Sequence, residues 1–468
     1  MAKKSQFSVN MFTLHREVTG SCIFVSVKSP TNKRIKFIVD CGLFQEIKYQ
    51  ELNNQDFPFK PEELNFALVT HAHIDHIGRL PMLLSYGFDK AIYSTYDTKT
   101  IMDVALKDSY EILQKNSNNL LYTMQDVKDT LTHVKAVEFN KTISIAENVK
   151  VTFFVNGHIP GAALILVQIS EIGYEDINLL FTGDYNNNNL FFDVPELPEW
   201  VTELPLTIIT EGTYGDTLST EIEYSFIKTV YEAVLKSKDI VIPCISLDRM
   251  QKELYKIKYM QDNNLIPNSY RIAIDGKLAQ TYTDLYTNRE LHIEDDIADF
   301  LPKGLEFLNK SNRQAFMLDS GPKITLTSSG MGSFGPARVH ILDVLENKVG
   351  LVLFTSYLAE GTLGRKLQET ADEDTVSIGE KTIIKRGTVK FTSEDSSHAK
   401  ADGMIEFLKK FKNLNSILIN HGELATKYVF RDMILENVEA KNVEIMDKDK
   451  FFRISSGCPI KVINSKFL

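Results

Sequence analysis

The 468-residue sequence predicts an α/β fold built from several domain-sized units. Three observations carry this. The N-terminal part runs from strands through helices to strands again, which suggests sheets covered by helices. From about Leu206 apolar strands alternate with helices, the pattern of a buried parallel sheet in a Rossmann-like unit. The length allows about three units at roughly 150 residues each, and 43% hydrophobic with 24% charged residues is an ordinary globular balance. The sequence shows no internal repeat, and no low-complexity tract beyond Asn186–Asn189.

Cys22–Val27 and Lys36–Val39 read as strands joined through Pro30, Thr31 and Asn32 into a hairpin. Phe66–Val69 reads as a short buried strand. Leu80, Leu83 and Leu84 then repeat at helical spacing, with Pro81 tolerable in a first turn. Asp97 to about Val134 is helix-like around polar loops such as Asn116–Asn119. Strands resume at Val149–Val155, Ala163–Ile169 and Asn178–Phe181. Thr207–Ile209, Ile240–Pro243 and Val349–Phe354 read as buried strands, and Glu223–Lys236 and Met250–Gln261 as helices. Ser397 reads as the N-cap of a helix over Ala399–Phe411 that carries Ile405, Leu408 and Phe411 on one face.

A net charge of −10 excludes a broadly basic nucleic-acid coat, but not a local groove assisted by metal ions. No run approaches the ~18–20 apolar residues that a membrane-spanning helix needs. Met1–Asn10 has no apolar stretch, so no secretory signal is expected. Cys22, Cys41, Cys244 and Cys458 are scattered without a CxxC pair, which fits reduced thiols in the cytoplasm.

The chemistry concentrates after the Phe66–Val69 strand. His71, His73, Asp75 and His76 place three imidazoles and a carboxylate within six residues, nitrogen and oxygen donors suited to zinc. On a loop this spacing can point alternate side chains at two adjacent metals. His158, Asp184 and His421 each follow a predicted strand, where α/β folds place functional groups. Together they complete two metal shells. Glu211 follows the apolar run Leu206–Ile209 and so falls at a strand end. Ser328–Gly335 can be a flexible loop, and such a loop can also present backbone N–H groups to phosphate. Arg365, with its planar fork of donors, is a companion phosphate ligand.

In these motifs the sequence resembles the metallo-β-lactamase superfamily, whose H-x-H-x-D-H signature His71–His76 matches, with His158 and Asp184 at the more distant ligand positions. Glu211 in Thr210–Gly215, His398 in Ser396–Ala399 and His421 match motifs A, B and C of the β-CASP branch. The strings Ala359–Arg365 and Ser329–Pro336 are also similar to it. Two departures stand out. Lys400 occupies a position, two after the motif B histidine, that is usually acidic, and the small residues that normally precede Val18-Thr19-Gly20-Ser21 are absent. From the few residues before His15 and after His421, neither a KH-type domain nor the C-terminal domain of RNase J is expected.

The resemblance implies an αββα metallo-β-lactamase sandwich over residues 1–205 and 388–468, with a Rossmann-like β-CASP domain inserted at 206–387. Single-stranded RNA is expected in the cleft between them. It implies two zinc ions, with manganese as an alternative. His71, His73 and His158 would hold one; Asp75, His76 and His421 the other; Asp184 would bridge. Asp40 would orient a ligand histidine from behind. Asp75, Glu211 and His398 are the catalytic set, with His398 protonating the leaving oxygen or binding the scissile phosphate. Ser329, Gly330 and Arg365 are the substrate-binding set. The expected activity is endonucleolytic RNA cleavage leaving 5′-phosphate and 3′-hydroxyl ends, in RNA processing. A 5′-to-3′ exoribonuclease and a non-catalytic RNA-binding subunit are the alternatives. The expected setting is cytoplasmic, with no membrane partner, and the reading allows a homodimer.

Overall fold

A computed structural model describes residues 7–30, 34–116, 120–221, 226–295, 297–346, 350–356, 358, 360–379, 381–392, 394–456 and 460–464. Met1–Gln6, Thr31 and Asn32 of the expected turn, residues 117–119, Glu223, Val349, Ala359 and Cys458 lie outside the described residues. The chain divides into two compact units, Met1–Ser219 with His398–Leu468, and Thr220–Ser397.

The first unit is built on strands that bury both faces. In Val149–Val155 and Ala163–Ile169, Val151 and Phe153 stand opposite Val167 and Ile165. These side chains share a core with Val25, Phe37 and Leu68 of a second sheet. The alternate residues Leu164, Leu166 and Leu180 point the other way, against Met404 and Leu408 of helix Ala401–Lys409 and Phe430 and Ile434 of helix Leu424–Asn437. Side chains of successive strand residues leave opposite faces, so apolar residues at both parities make a sheet covered on both sides. Each such burial contributes roughly 1.5–3 kcal/mol relative to exposure.

Among the described residues one sheet has eight strands, in the order Lys461–Asn464, Lys450–Ser455, Ser8–Thr13, Ile23–Lys28, Arg34–Val39, Phe66–Leu68, Ile92–Thr95 and Val134–Val137. The facing sheet has seven: Val443–Ile445, Leu414–Ile419, Leu206–Thr210, Ile177–Phe181, Ala163–Ile169, Val149–Val155 and Ile143–Ala146. Helix Tyr96–Asn116 packs on Ile92–Thr95 and Val134–Val137, which completes an αββα order. The expected hairpin forms, pairing Ile23 with Val39 in antiparallel register. Arg34–Val39 is parallel to Phe66–Leu68, and Ile177–Phe181, Leu206–Thr210 and Leu414–Ile419 are mutually parallel. Their C-terminal ends therefore meet along one rim.

In the second unit six parallel strands lie in the order Leu305–Leu308, Arg271–Asp275, Lys323–Thr327, Ile240–Pro243, Leu351–Phe354 and Thr388–Phe391. Helices such as Arg249–Asp262 and Gly335–Glu346 connect them in a Rossmann-like arrangement. The unit boundaries differ from those the sequence suggests. Leu206–Thr210 pairs with Ile177–Phe181 and Leu414–Ile419 and so stays with the first unit, while Thr388–Phe391 pairs with Leu351–Phe354 in the second. Ser397 does not cap the following helix: Lys400 is its N-cap residue, and the Ser397 hydroxyl donates to Asp248 Oδ2 at 3.3 Å.

The expected helix over Met250–Gln261 forms at Arg249–Asp262 and turns Arg249, Gln251, Lys252 and Glu253 into the interior. Arg249 donates to the Thr355 carbonyl at 2.6 Å, Gln251 to the Thr283 hydroxyl at 3.0 Å, and Lys252 pairs with Asp248 at 2.5 Å. Neither carboxylate oxygen of Glu253 has a hydrogen-bond partner among the described residues, and Lys256 stands 3.8 Å away. Burial pushes the Glu253 carboxyl up to about 8. The folded state then keeps a proton that the unfolded chain releases at lower pH. Stability should fall as pH rises from the ordinary carboxylate range toward about 8. Glu253→Gln should flatten that part of the profile, as read from denaturant midpoints across the window; an unchanged slope would remove Glu253 as its source.

Candidate metal centre

Strand ends supply the site. Asp40 follows Arg34–Val39, His71 follows the end of Phe66–Leu68 by three residues, and His158, Asp184, Glu211 and His421 follow their own strands closely. The His71–His76 segment is not a simple loop. It is extended through His73, which caps a short helix Ile74–Ile77, so Asp75 and His76 sit in that helix's first turn. The change from extended to helical backbone sends His71 and His73 one way and Asp75 and His76 the other. Two glycines permit the close packing. A Cβ on Gly42 would lie 1.5 Å from the Asp75 carbonyl oxygen, and Gly183 (φ +55°) would place one 2.7 Å from Thr70 Cβ.

Two donor groups result. His71, His73, His158 and Asp184 form one, and Asp75, His76, Asp184 and His421 the other, each with its candidate ligand atoms within 4.8 Å of one another. Asp184 belongs to both. Its Oδ2 lies 3.3 Å from His76 Nε2, 3.7 Å from His71 Nε2 and 3.8 Å from His158 Nε2, and its Oδ1 lies 3.4 Å from His421 Nδ1. In the first group His73 Nδ1 stands 3.2 Å from His71 Nε2 and 3.0 Å from His158 Nε2. In the second, His421 Nε2 is 3.5 Å from Asp75 Oδ2.

Neighbours decide which ring nitrogen faces inward. Asp40, at φ 61°, accepts from the Thr70 N–H and hydroxyl at 2.8 Å each and binds His76 Nδ1 at 2.8 Å. The Thr70 hydroxyl oxygen in turn meets His71 Nδ1 at 3.1 Å. Thr213 Oγ1 meets His421 Nδ1 at 3.0 Å. These contacts leave Nε2 of His71, His76 and His421 toward the rim, the outer-shell arrangement that orients metal-binding imidazoles. Asp40→Asn keeps the shape and tolerates the left-handed backbone. It should lower metal affinity about 10–100-fold in competition with a chromophoric chelator; unchanged affinity would deny Asp40 that role.

The residues fit divalent cations. The buried Nε2 atoms of His76 and His421 and Oδ1 of Asp184 have no hydrogen-bond partner among the described residues. Burial, with the nearby His76, lowers the His71 pKa well below the usual range, and burial lowers that of His73, which favours the neutral ligand form. At Asp184 burial works against the carboxylate, but His421 and His76 hold its pKa well below the ordinary value. At His76 burial is outweighed by Asp184 and Asp40, which raise the imidazole well above its usual value.

Glu211 and His398 form a third element. His398 Nδ1 donates to Glu211 Oε2 at 2.7 Å, and Glu211 Oε1 accepts from the Tyr185 N–H at 2.6 Å. Burial opposes the imidazolium, yet Glu211 raises the His398 pKa above the ordinary value. The His398 ring stands 4.7 Å from that of His158.

Ser329, Gly330 and Arg365 belong to the second unit. Ser329 and Gly330 follow strand Lys323–Thr327 and precede helix Gly335–Glu346. Arg365, in helix Leu363–Glu369, donates from Nε to Glu369 Oε1 at 2.8 Å, and both side chains are substantially exposed. The supports Thr70, Thr213 and the Tyr185 N–H were not singled out by sequence. Thr70 directly precedes His71, Tyr185 directly follows Asp184, and Thr213 lies two residues after Glu211, so each stands beside a singled-out residue.

Residues 31–189 match the metallo-beta-lactamase superfamily domain, and residues 250–367 match the Beta-Casp domain. The chain belongs to the β-CASP family of the metallo-β-lactamase superfamily. Its β-CASP relatives include transcription termination factor FttA of Methanococcus maripaludis, 30% identical over 436 residues that cover 88% of this chain and 66% of the relative. Ribonuclease TTHA0252 of Thermus thermophilus is 28% identical, over 88% of this chain and 92% of its own length. The Integrator complex subunit 11 homolog of Dictyostelium discoideum is 27% identical, over 87% of this chain and 56% of its own. The chain thus spans about two thirds of the FttA relative. A β-CASP fold with this His/Asp cluster binds divalent metal. Among the described residues no helix is long and apolar enough to cross a membrane.

Proposed function

We propose that the chain is a metal-dependent ribonuclease that cuts single-stranded RNA internally and leaves 5′-phosphate and 3′-hydroxyl ends. The observation that carries this reading is the single carboxylate, Asp184, shared by two histidine-rich donor groups beside a Glu211–His398 pair. Two zinc ions, or manganese in their place, would be held by His71, His73 and His158 and by Asp75, His76 and His421. When bound, such ions supply Lewis acidity toward phosphoryl oxygens and acidify water. The chain supplies the rest. Asp184 keeps the two groups in register, and Asp40, Thr70 and Thr213 fix the rings. His398, held at Nδ1 by Glu211, protonates the leaving oxygen or contacts the scissile phosphate. Arg365 can exchange its exposed Glu369 partner for phosphate at little cost, since such surface pairs contribute only about 0.3–0.5 kcal/mol. Relatives named as a ribonuclease and as a transcription termination factor support RNA as substrate, and the full donor set favours catalysis over a purely binding role.

The test uses one RNA carrying a 5′-triphosphate, 5′-monophosphate or 5′-hydroxyl, with and without chelator. Internal fragments that ignore the end group and vanish with chelator are expected. Mononucleotide release that depends on a 5′-monophosphate would establish the exonuclease instead, and RNA bound without cleavage would establish the binding subunit.

A further inference from the structure

The turn after Glu211 is tied to the helix that follows His398. Ser219 donates its N–H at 3.1 Å and its hydroxyl at 2.9 Å to Asp402 Oδ1, and the Ala401 N–H donates to the Thr217 carbonyl at 2.9 Å. Tyr214 lies in this turn. Lys400 Nζ sits 3.4 Å from the centroid of its ring, and the His398 ring stands 6.0 Å from it with an interplanar angle of 61°. Lys400 is only 5% exposed. An ammonium over an aromatic face attracts it most strongly when water is excluded. The ring face is the negative side of the aromatic quadrupole, so a carboxylate in place of Lys400 would be repelled there. Lys400 and Tyr214 therefore form a matched pair, at a position where the family usually carries an acid.

We propose that Lys400 is a positioning residue that acts through Tyr214: its ammonium fixes the Tyr214 ring, and that ring sets the His398 imidazole at the rim. The proposal rests on the reading of His398 as the group that meets the reacting phosphate. Lys400 itself is buried against Tyr214. Loss of the ammonium should lower kcat about 2- to 30-fold, the range of one cation–π contact, with KM unchanged.

The experiment compares Lys400→Met, Lys400→Arg, Lys400→Glu and Tyr214→Leu in protein labelled with isotopic histidine, without RNA, and then in cleavage. Lys400→Met and Tyr214→Leu should move or broaden the His398 ring signals at unchanged metal content. Lys400→Arg should restore them, and Lys400→Glu should perturb them most. In cleavage, Lys400→Met should reduce kcat in the wild-type background and add nothing in a His398→Ala background. His398 signals unaltered by both Lys400→Met and Tyr214→Leu would overturn the proposal. So would a raised KM at constant kcat, which would make Lys400 a substrate contact. If Lys400→Met does not fold, Tyr214→Leu decides by the same signals. Wild-type protein that does not cleave RNA would sink the ribonuclease reading alone, because the ring signals still test the positioning.

Discussion

Asp184→Ala should abolish cleavage and empty both donor groups together. The carboxylate is 2% exposed and lies within 3.8 Å of imidazole nitrogens from His71, His76, His158 and His421. No other side chain belongs to both four-residue groups. Its removal leaves buried imidazoles around a void and takes away the strongest favourable influence on the His76 imidazolium. Metal affinity should drop by more than the roughly 10–100-fold typical of an outer-shell partner. Cleavage should fall by about 10³-fold or more, beyond the loss of one transition-state donor. Elemental analysis and single-turnover cleavage check this. Retention of one full metal equivalent with near wild-type cleavage would show that Asp184 bridges nothing.

His398→Ala and His421→Ala should part company. His421 Nε2 faces Asp75 in the second group, so its loss should loosen one metal, and excess zinc or manganese should restore part of the activity. His398 leans on Glu211, and its removal should leave metal content and melting temperature intact. Cleavage should nevertheless fall about 10²–10⁴-fold if His398 is a general acid. A substrate with sulfur at the leaving position needs less protonation and should recover much of that loss. Without such recovery the phosphate-contact role is the better account. Metal loss in His398→Ala equal to that in His421→Ala would refute the division between them.

The sequence exposes the parts of this site that are local or that end a strand. Three histidines and an aspartate within six residues after an apolar run are legible because the spacing itself groups the donors. His158, Asp184 and His421 are legible because buried strands deliver their next residues to a common rim. The Asp40–Thr70–His71 relay joins residues 30 apart, and Thr213 meets His421 across 208. Such contacts exist only once parallel strands have aligned their ends. The burial of polar residues on helix Arg249–Asp262 is hidden for a related reason. Its polar residues are buried because Asp248 at its own N-cap, Thr283 of helix Lys277–Thr287 and the Thr355 carbonyl beyond strand Leu351–Phe354 supply their partners. The Lys400–Tyr214 contact is illegible for the same reason: Lys400 stands out only as a departure, and its partner lies 186 residues away.

Two metals sharing Asp184 are expected to act together in cutting RNA. The direct measurement is cleavage of an internally labelled RNA by metal-stripped protein as zinc is added in sub-stoichiometric steps, with bound metal counted at each step. Little cleavage is expected up to one equivalent, with a steep rise toward two. Full activity at one equivalent, or activity that persists with none, would contradict it.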